Sequence, residues 1–134
     1  MKKSENPVAL VVEAILKNKE GKILLLKRSD YNTFFVDLWQ LPGGKVEFGE
    51  NVHQAISREI LEETTCVVEA DLGKVHSFYE EFNGFKGTLF LMVFSGSCNG
   101  EIKLSEDHTE FGFFSEEEIK KLELTSISKK SLFG

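Results

Sequence analysis

Two cysteines, two prolines and a shortage of basic side chains narrow what this 134-residue chain can be. Cys66 and Cys98 are too few and too loosely spaced for a zinc site or a disulfide framework, and each lies in or beside an apolar segment. Both are expected to be ordinary reduced thiols. Pro7 and Pro42 are the only prolines, so no proline-rich spacer interrupts the run from about Val8 onward, and an apolar content of 41% argues against disorder. No apolar run approaches the roughly 20 residues that cross a bilayer, and the opening Met-Lys-Lys-Ser-Glu-Asn is not followed by an apolar signal core. A cytoplasmic protein without a membrane partner is expected. The balance of 16 basic against 22 acidic residues, a formal charge of −6, argues against a broad grip on polymeric nucleic acid. An anionic substrate would need a metal to bridge it. There is no internal repeat, and the length suits one domain, 1–134, with a core over about 8–122.

Apolar and turn-forming segments alternate along the chain. Val8 to Lys17 and Lys22 to Arg28 flank the turn Asn18-Lys19-Glu20-Gly21 and read as a hairpin. Ile23-Leu24-Leu25-Leu26 has no polar break, which predicts a strand covered on both faces and hence an α/β/α layering, a mixed sheet between helices. Asp30 to Val36 reads as a polar and aromatic loop. Leu38 to Leu41 leads into Pro42-Gly43-Gly44, a predicted turn where the backbone can approach a ligand closely. Asn51 is placed to cap a helix in which Val52, Ile56 and Ile60 form an apolar stripe. Cys66 to Ala70, Leu72 to Phe82, Thr88 to Ser95, Ile102 to Leu104 and Phe111 to Phe114 read as strands, with a turn at Asn83-Gly84. Ser115 to Glu118 is a capping box opening a helix through about Leu122, and the tail from Thr125 is too weakly patterned to assign.

What the chain does have is a cluster of acids on one short helix. Glu59, Glu62 and Glu63 lie three and four residues apart, share a face and repel one another unless a cation sits between them. Hard carboxylate oxygens suit magnesium or manganese. Five residues separate Gly44 from Glu50, seven separate Glu50 from Arg58, and Arg58-Glu59-Ile60-Leu61-Glu62-Glu63 follows. At roughly 6–7% usage per fixed residue, six such coincidences arise on the order of once in ten million windows, so the pattern is not accidental. It resembles the signature of Nudix hydrolases, with one departure: the pattern's closing glycine and aliphatic residue are replaced by Thr65 and Cys66. A β-branched residue enters the left-handed conformation reluctantly, so a differently shaped helix exit is expected.

The resemblance implies a Nudix fold and hydrolysis of a nucleoside diphosphate linked to another group. It is most like small MutT-like members that cut (deoxy)nucleoside triphosphates to monophosphate and pyrophosphate. A nucleotide sugar, ADP-ribose or dinucleoside polyphosphate substrate would use the same ligands, and a non-catalytic nucleotide sensor is the alternative outside enzymology. The match carries metal ligation, by Mg2+ or Mn2+, onto Glu59, Glu62, Glu63 and the Gly44 carbonyl, with Glu59 or Glu62 as the base. Glu110, in Glu106-Asp107-His108-Thr109-Glu110, matches the region that brings a late acid over the cleft in the family, as an extra metal ligand or base, though a solvated charged loop is the more common explanation of such a run. Arg58 is expected to bond Glu50, either as catalytic support or as a purely structural staple. Phe34 and Phe35 are candidates for stacking on the base, Arg28 for phosphate oxygens and Gly43 for a backbone contact, whereas Trp39 is assigned to the core. His53, His76 and His108 are given no role. The family also admits a homodimer, which no residue here demands.

Overall fold

A computed structural model of the chain describes residues 6–29, 35–82 and 84–134. Among these residues seven strands, β1 (Val8–Lys17), β2 (Ile23–Arg28), β3 (Trp39–Gln40), β4 (Gly43–Lys45), β5 (Asp71–Phe82), β6 (Phe85–Ser97) and β7 (His108–Phe114), form one mixed sheet. Three helices accompany it: α1 (Val52–Thr64), α2 (Glu116–Ile119) and α3 (Ser126–Phe133). The main path runs β3-β2-β1-β6-β5, with β4 added to β1 and β7 to β2. Strand β1 lies parallel to β6 from Val8↔Thr88 to Lys17↔Ser97, while the other strand ladders among the described residues are antiparallel and a lone parallel bridge joins Trp39 to Leu124.

Period-two alternation divides the core between the two faces of the sheet. Val12, Ala14 and Leu16 of β1, Leu24 and Leu26 of β2, and Met92 and Phe94 of β6 pack with Ala55, Ile56 and Ile60 of α1. On the opposite face Ile23 and Leu25 meet Ile119 of α2, and Val11, Leu89, Leu91 and Val93 meet Ile127 of α3. Ile23 to Leu26 is buried throughout, as a strand covered from both sides must be. The layering is therefore α/β/α, as expected.

The other edge of β1 is shared. β2 pairs with it at Lys17↔Ile23, whereas β4 takes Val11 to Glu13, so the sheet is forked where β3, β4 and the end of β2 come together. The predicted Pro42-Gly43-Gly44 turn is instead the entry to β4. Gly43 is needed for strand contact, since a Cβ there would lie 2.1 Å from the Val12 carbonyl oxygen.

Other segments depart from the pattern for identifiable reasons. Cys66 to Ala70 and Ile102 to Leu104 are not strands: Cys66, Val68, Ala70, Ile102 and Leu104 are apolar because they lie on the α1 side of the core, without joining a ladder. Burial, not sheet pairing, produced their alternation. Helix α2 ends at Ile119, short of Leu122, and the weakly patterned tail forms α3, capped by Thr125. Leu124, Thr125, Ser128 and Ser131 are buried, so packing continues past Leu122. The Asn83 half of the expected turn, and most of the Asp30 to Val36 loop, lie outside the described residues.

Asn51 caps α1 as expected, its side chain accepting from the Gln54 N–H at 2.8 Å while Gln54 returns the bond. The exit corrects the expectation of an altered shape. Thr65 itself adopts the left-handed conformation, φ 63° and ψ 7°, and its N–H donates to the Leu61 carbonyl. A β-branched side chain there costs about 1–2 kcal/mol, only partly offset by the backbone entropy that glycine loses on folding. Thr65→Gly is therefore expected to stabilise the protein by roughly 0.5–1 kcal/mol, read as a higher urea midpoint at unchanged slope. A lower midpoint would show that the threonine contributes contacts worth more than its strain.

Candidate active site

Arg58, nearly two turns before the end of α1, organises the acids around it. Its Nε donates to Glu50 Oε2 at 2.7 Å and its Nη2 to Glu50 Oε1 at 3.0 Å, a bidentate pair. A further bond from Nη2 reaches the Lys45 carbonyl, so one guanidinium ties α1 to β4 and to the loop between them. Nη1 contacts Glu59 Oε1 at 2.8 Å and Glu62 Oε2 at 3.3 Å. Hydrogen bonding to Arg58, followed by the Glu47 backbone, holds the Glu50 carboxyl down at about 2, and the Arg58 pKa is raised in return.

Beyond this staple, a cavity of about 250 Å3 opens at the fork of the sheet. Glu59 and Glu63 of α1 line it together with Gly43 and Gly44 of β4. Glu63 is only 6% exposed, and its Oε1 accepts from the Gly43 N–H at 2.8 Å. Gly44 is required by Glu59: a Cβ at residue 44 would lie 2.7 Å from the Glu59 carboxylate. Burial pushes the Glu63 carboxyl well above the usual range, and the nearby Glu59 charge pushes it further. The Glu59 carboxyl is also raised, chiefly by burial, against the pull of Arg58. Two mutually repelling oxygen donors beside a side-chain-free backbone fit a hard divalent cation. Among the described residues no three acids, histidines or cysteines yet converge as a finished cage, and Arg58 is the cation that now meets Glu59.

The cavity continues to the α3 side of the sheet, where Val11, Glu13, Thr125 and Ile127 line it. Glu13, 4% exposed, occupies the row of β1 that otherwise carries Val11 and Ile15. Its Oε1 accepts from Ser131 Oγ at 2.8 Å and its Oε2 from Ser128 Oγ at 2.9 Å. Burial, opposed by these hydroxyls, pushes the carboxyl up to about 7. His108, at the start of β7, has a buried ring whose Nε2 lies 3.9 Å from Glu63 Oε2, too far for a hydrogen bond. Burial lowers its pKa to about 4, so the imidazole is neutral.

The structure brings together Glu59, Glu63, Gly43, Gly44, Arg28 and Phe35 at this cavity, with Arg58 and Glu50 behind them. Arg28 Nη1 donates to Gln40 Oε1 at 2.6 Å, and its guanidinium carbon lies 5.9 Å from the centroid of the Phe35 ring. Glu62 points outward, with its side chain 57% exposed. Glu110 is also away from the cavity, 3.5 Å from Lys27 Nζ. Trp39 packs edge-on against Phe114, in keeping with a core role. Phe34 lies outside the described residues. Sequence reasoning missed Glu13, Gln40, Asp107, His108, Thr125 and Ile127. Of these Glu13 carried a signal, as an acid within the apolar run Val8 to Leu16, and Asp107 and His108 lay in the acidic run from which Glu110 was taken. The cysteines, read as free thiols, are indeed free and buried, with Sγ atoms 3.5 Å apart.

Residues 7–133 match the NUDIX domain. The chain belongs to the Nudix family. It is 36% identical over 116 residues to the ADP-ribose pyrophosphatase of Methanocaldococcus jannaschii, a match covering 85% of this chain and 66% of that protein. The Nudix chain thus spans just under two thirds of that relative's length. It is 26% identical over 131 residues to the nucleoside triphosphatase NudI of Escherichia coli, covering 91% of this chain and 92% of that one. Among solved structures, the MutT protein of Methanosarcina mazei Go1 superposes with a TM-score of 0.81 at 30% identity, covering 96% and 93% of the two chains. Divalent-metal dependence is general in the family. No described helix is long and apolar enough to cross a membrane.

The raised Glu13 carboxyl makes a pH prediction. Its ordinary value is 4.5 and its folded value about 7, so the folded state holds a proton that the unfolded state has released between those limits. Stability is therefore lost as pH rises from about 4.5 to 7, by on the order of 3 kcal/mol from this group. Urea unfolding of metal-free protein from pH 5 to 8 should show that decline in wild type and a shallower one in Glu13→Gln. Equal slopes would remove Glu13 as its source.

Proposed function

We propose that this Nudix domain is a divalent-metal-dependent pyrophosphohydrolase acting on nucleotides, with (deoxy)nucleoside triphosphates cut to monophosphate and pyrophosphate as the leading substrate class. The observation that carries the reading is the pair Glu59 and Glu63, buried in one cavity beside Gly44, each with its carboxyl driven above the usual range. Such a pair is costly to keep unless a cation completes it. Glu59, Glu63 and the Gly44 carbonyl would hold the ion, with Glu62 at the rim. When bound, the cation neutralises pyrophosphate oxygens and acidifies water.

The chain's own residues do the rest. The Gly43 N–H fixes the orientation of Glu63, and the missing side chain at Gly44 leaves room for Glu59. Arg58 and Glu50 hold α1 and β4 in register, a positioning role. Glu59 faces the cavity, which favours it over the outward Glu62 as acceptor of the proton from water. Arg28, at the cavity wall, is placed for phosphate oxygens, and Phe35 for the substrate's ring. A cytoplasmic setting suits the two reduced thiols. Glu110 has no part in this reading.

The test is a panel of deoxynucleoside triphosphates, oxidised nucleotides, ADP-ribose, nucleotide sugars and dinucleoside polyphosphates, assayed for phosphate and pyrophosphate release with magnesium and with chelator. Chelator-sensitive turnover of triphosphates is expected; preference for ADP-ribose would move the chain toward its M. jannaschii relative, and binding without turnover would favour a sensor. Glu63→Gln should fold with equal or greater stability yet lose at least about 100-fold in turnover. A folded, active variant refutes the ligand role. Gly44→Ala places a methyl against the movable end of Glu59, so it should spare the thermal midpoint and cut kcat at least about 10-fold. Unchanged kcat would mean that the Glu59 position does not matter.

A further inference from the structure

Glu13 stands apart from the pyrophosphate chemistry. It pairs with Gly43 across β1 and β4, but its side chain belongs to the α3 face of the sheet, whereas Glu59 and Glu63 approach from α1 on the other face. The cavity passes the sheet at this fork and touches both groups. A bound nucleotide with its phosphates at the α1 acids would therefore extend toward Val11, Glu13 and Ile127.

The hydrogen-bonding capacity of Glu13 is not used up by the protein. An ionised carboxylate offers about four lone-pair sites. Among the described residues its donors are the hydroxyls of Ser128 and Ser131, each with a single proton. The Ser128 hydroxyl is itself oriented, because its oxygen accepts from the Leu41 N–H at 2.9 Å, which turns its proton toward Glu13. About two acceptor sites thus remain on a buried, rotationally fixed carboxylate in a cavity wall. No ion pair to Glu13 is found among the described residues. Withholding a charge from water without a cation or a full set of donors is costly, and a ligand bearing N–H groups would supply what is missing.

The wall around it is apolar at Val11 and Ile127, with the Phe35 ring also lining the cavity, which suits a flat heterocycle read along its hydrogen-bonding edge. Above about pH 7, where it is ionised, Glu13 only accepts, and an acceptor-only group selects among bases by donor count. Adenine presents one amino donor beside an acceptor, cytosine likewise, and uracil or thymine one N–H between two carbonyls. Guanine alone presents adjacent N1–H and N2–H donors.

We propose that Glu13 is the specificity-determining residue of this site, accepting from the paired N–H donors of a guanine base through the carboxylate oxygens that Ser128 and Ser131 hold in place. The proposal rests on reading the cavity as a nucleotide site. It is tested with nucleoside monophosphates, which bind without being hydrolysed and without added metal. Calorimetric titration of wild type at about pH 8, where Glu13 is ionised, with the 5′-monophosphates of guanosine, inosine and adenosine should show guanosine favoured over both by at least about 10-fold, since inosine lacks only the second donor. In Glu13→Gln, whose folding is checked by its thermal midpoint, that preference should fall to within about 3-fold. A purely structural Glu13 would instead lower all three affinities together. Wild type without a guanine preference, or a variant that keeps it, overturns the assignment, and the wild-type comparison stands even if the variant does not fold. Failure of the hydrolase reading registers separately, as absent or chelator-insensitive turnover across the substrate panel.

Discussion

A carboxylate taken out of water raises its own pKa unless its surroundings share the charge, and this fold withdraws Glu13, Glu59 and Glu63 around a single cavity. Much of the local architecture follows from accommodating them. The Gly43 N–H turns toward Glu63, the absence of a side chain at Gly44 admits Glu59, and Ser128 and Ser131 reach down from α3 to Glu13. None of these partners is a full positive charge. Arg58, the cation within α1, is divided among Glu50, Glu59 and Glu62, and its best geometry goes to Glu50. The cavity is thereby left electronegative, a state that favours a divalent ion over water.

Strand β4 is the part through which these demands are connected. Its backbone pairs with β1, binds Glu63 from one face, stands opposite Glu13 on the other and receives Arg58 through the Lys45 carbonyl. Two glycines permit that density of contact, because a Cβ at Gly43 would collide with Val12 and one at Gly44 with Glu59. Helix α3 secures the arrangement from the far side. Ser128 bonds both Glu13 and the backbone of Leu41, and residue 41 lies only two positions before β4. Helix α3, with few large apolar residues, thus helps hold the segment leading into β4, the strand against which Glu13 and Glu63 are set.

Legibility differed by type of feature. The run Ile23 to Leu26 announced a doubly covered strand, and Asn51 announced the start of α1, because burial on two faces and capping are local demands on residue type. Cys66 to Ala70 alternated like a strand for another reason, the packing of every second residue on the α1 core. Helix α3 escaped notice because its buried positions include Ser128 and Ser131, whose burial makes sense only once Glu13 is opposite them. Thr65 shows that a residue disfavoured in a conformation still adopts it when the helix exit requires it.

At the site, the family, the acid-bearing helix and the Arg58 to Glu50 staple were legible along the chain, because those depend on residues at short, fixed separations along one element and its leading loop. Tertiary structure alone decided which acids share the cavity. It turned Glu62 to solvent, left Glu110 beside Lys27, and brought Glu13, His108 and Ile127 to residues far away in sequence. Helical spacing determines which side chains share a face, but not which part of that face the sheet covers. That selection comes from the fork between β1, β2 and β4, whose pairings join segments with no mutual signature in the chain.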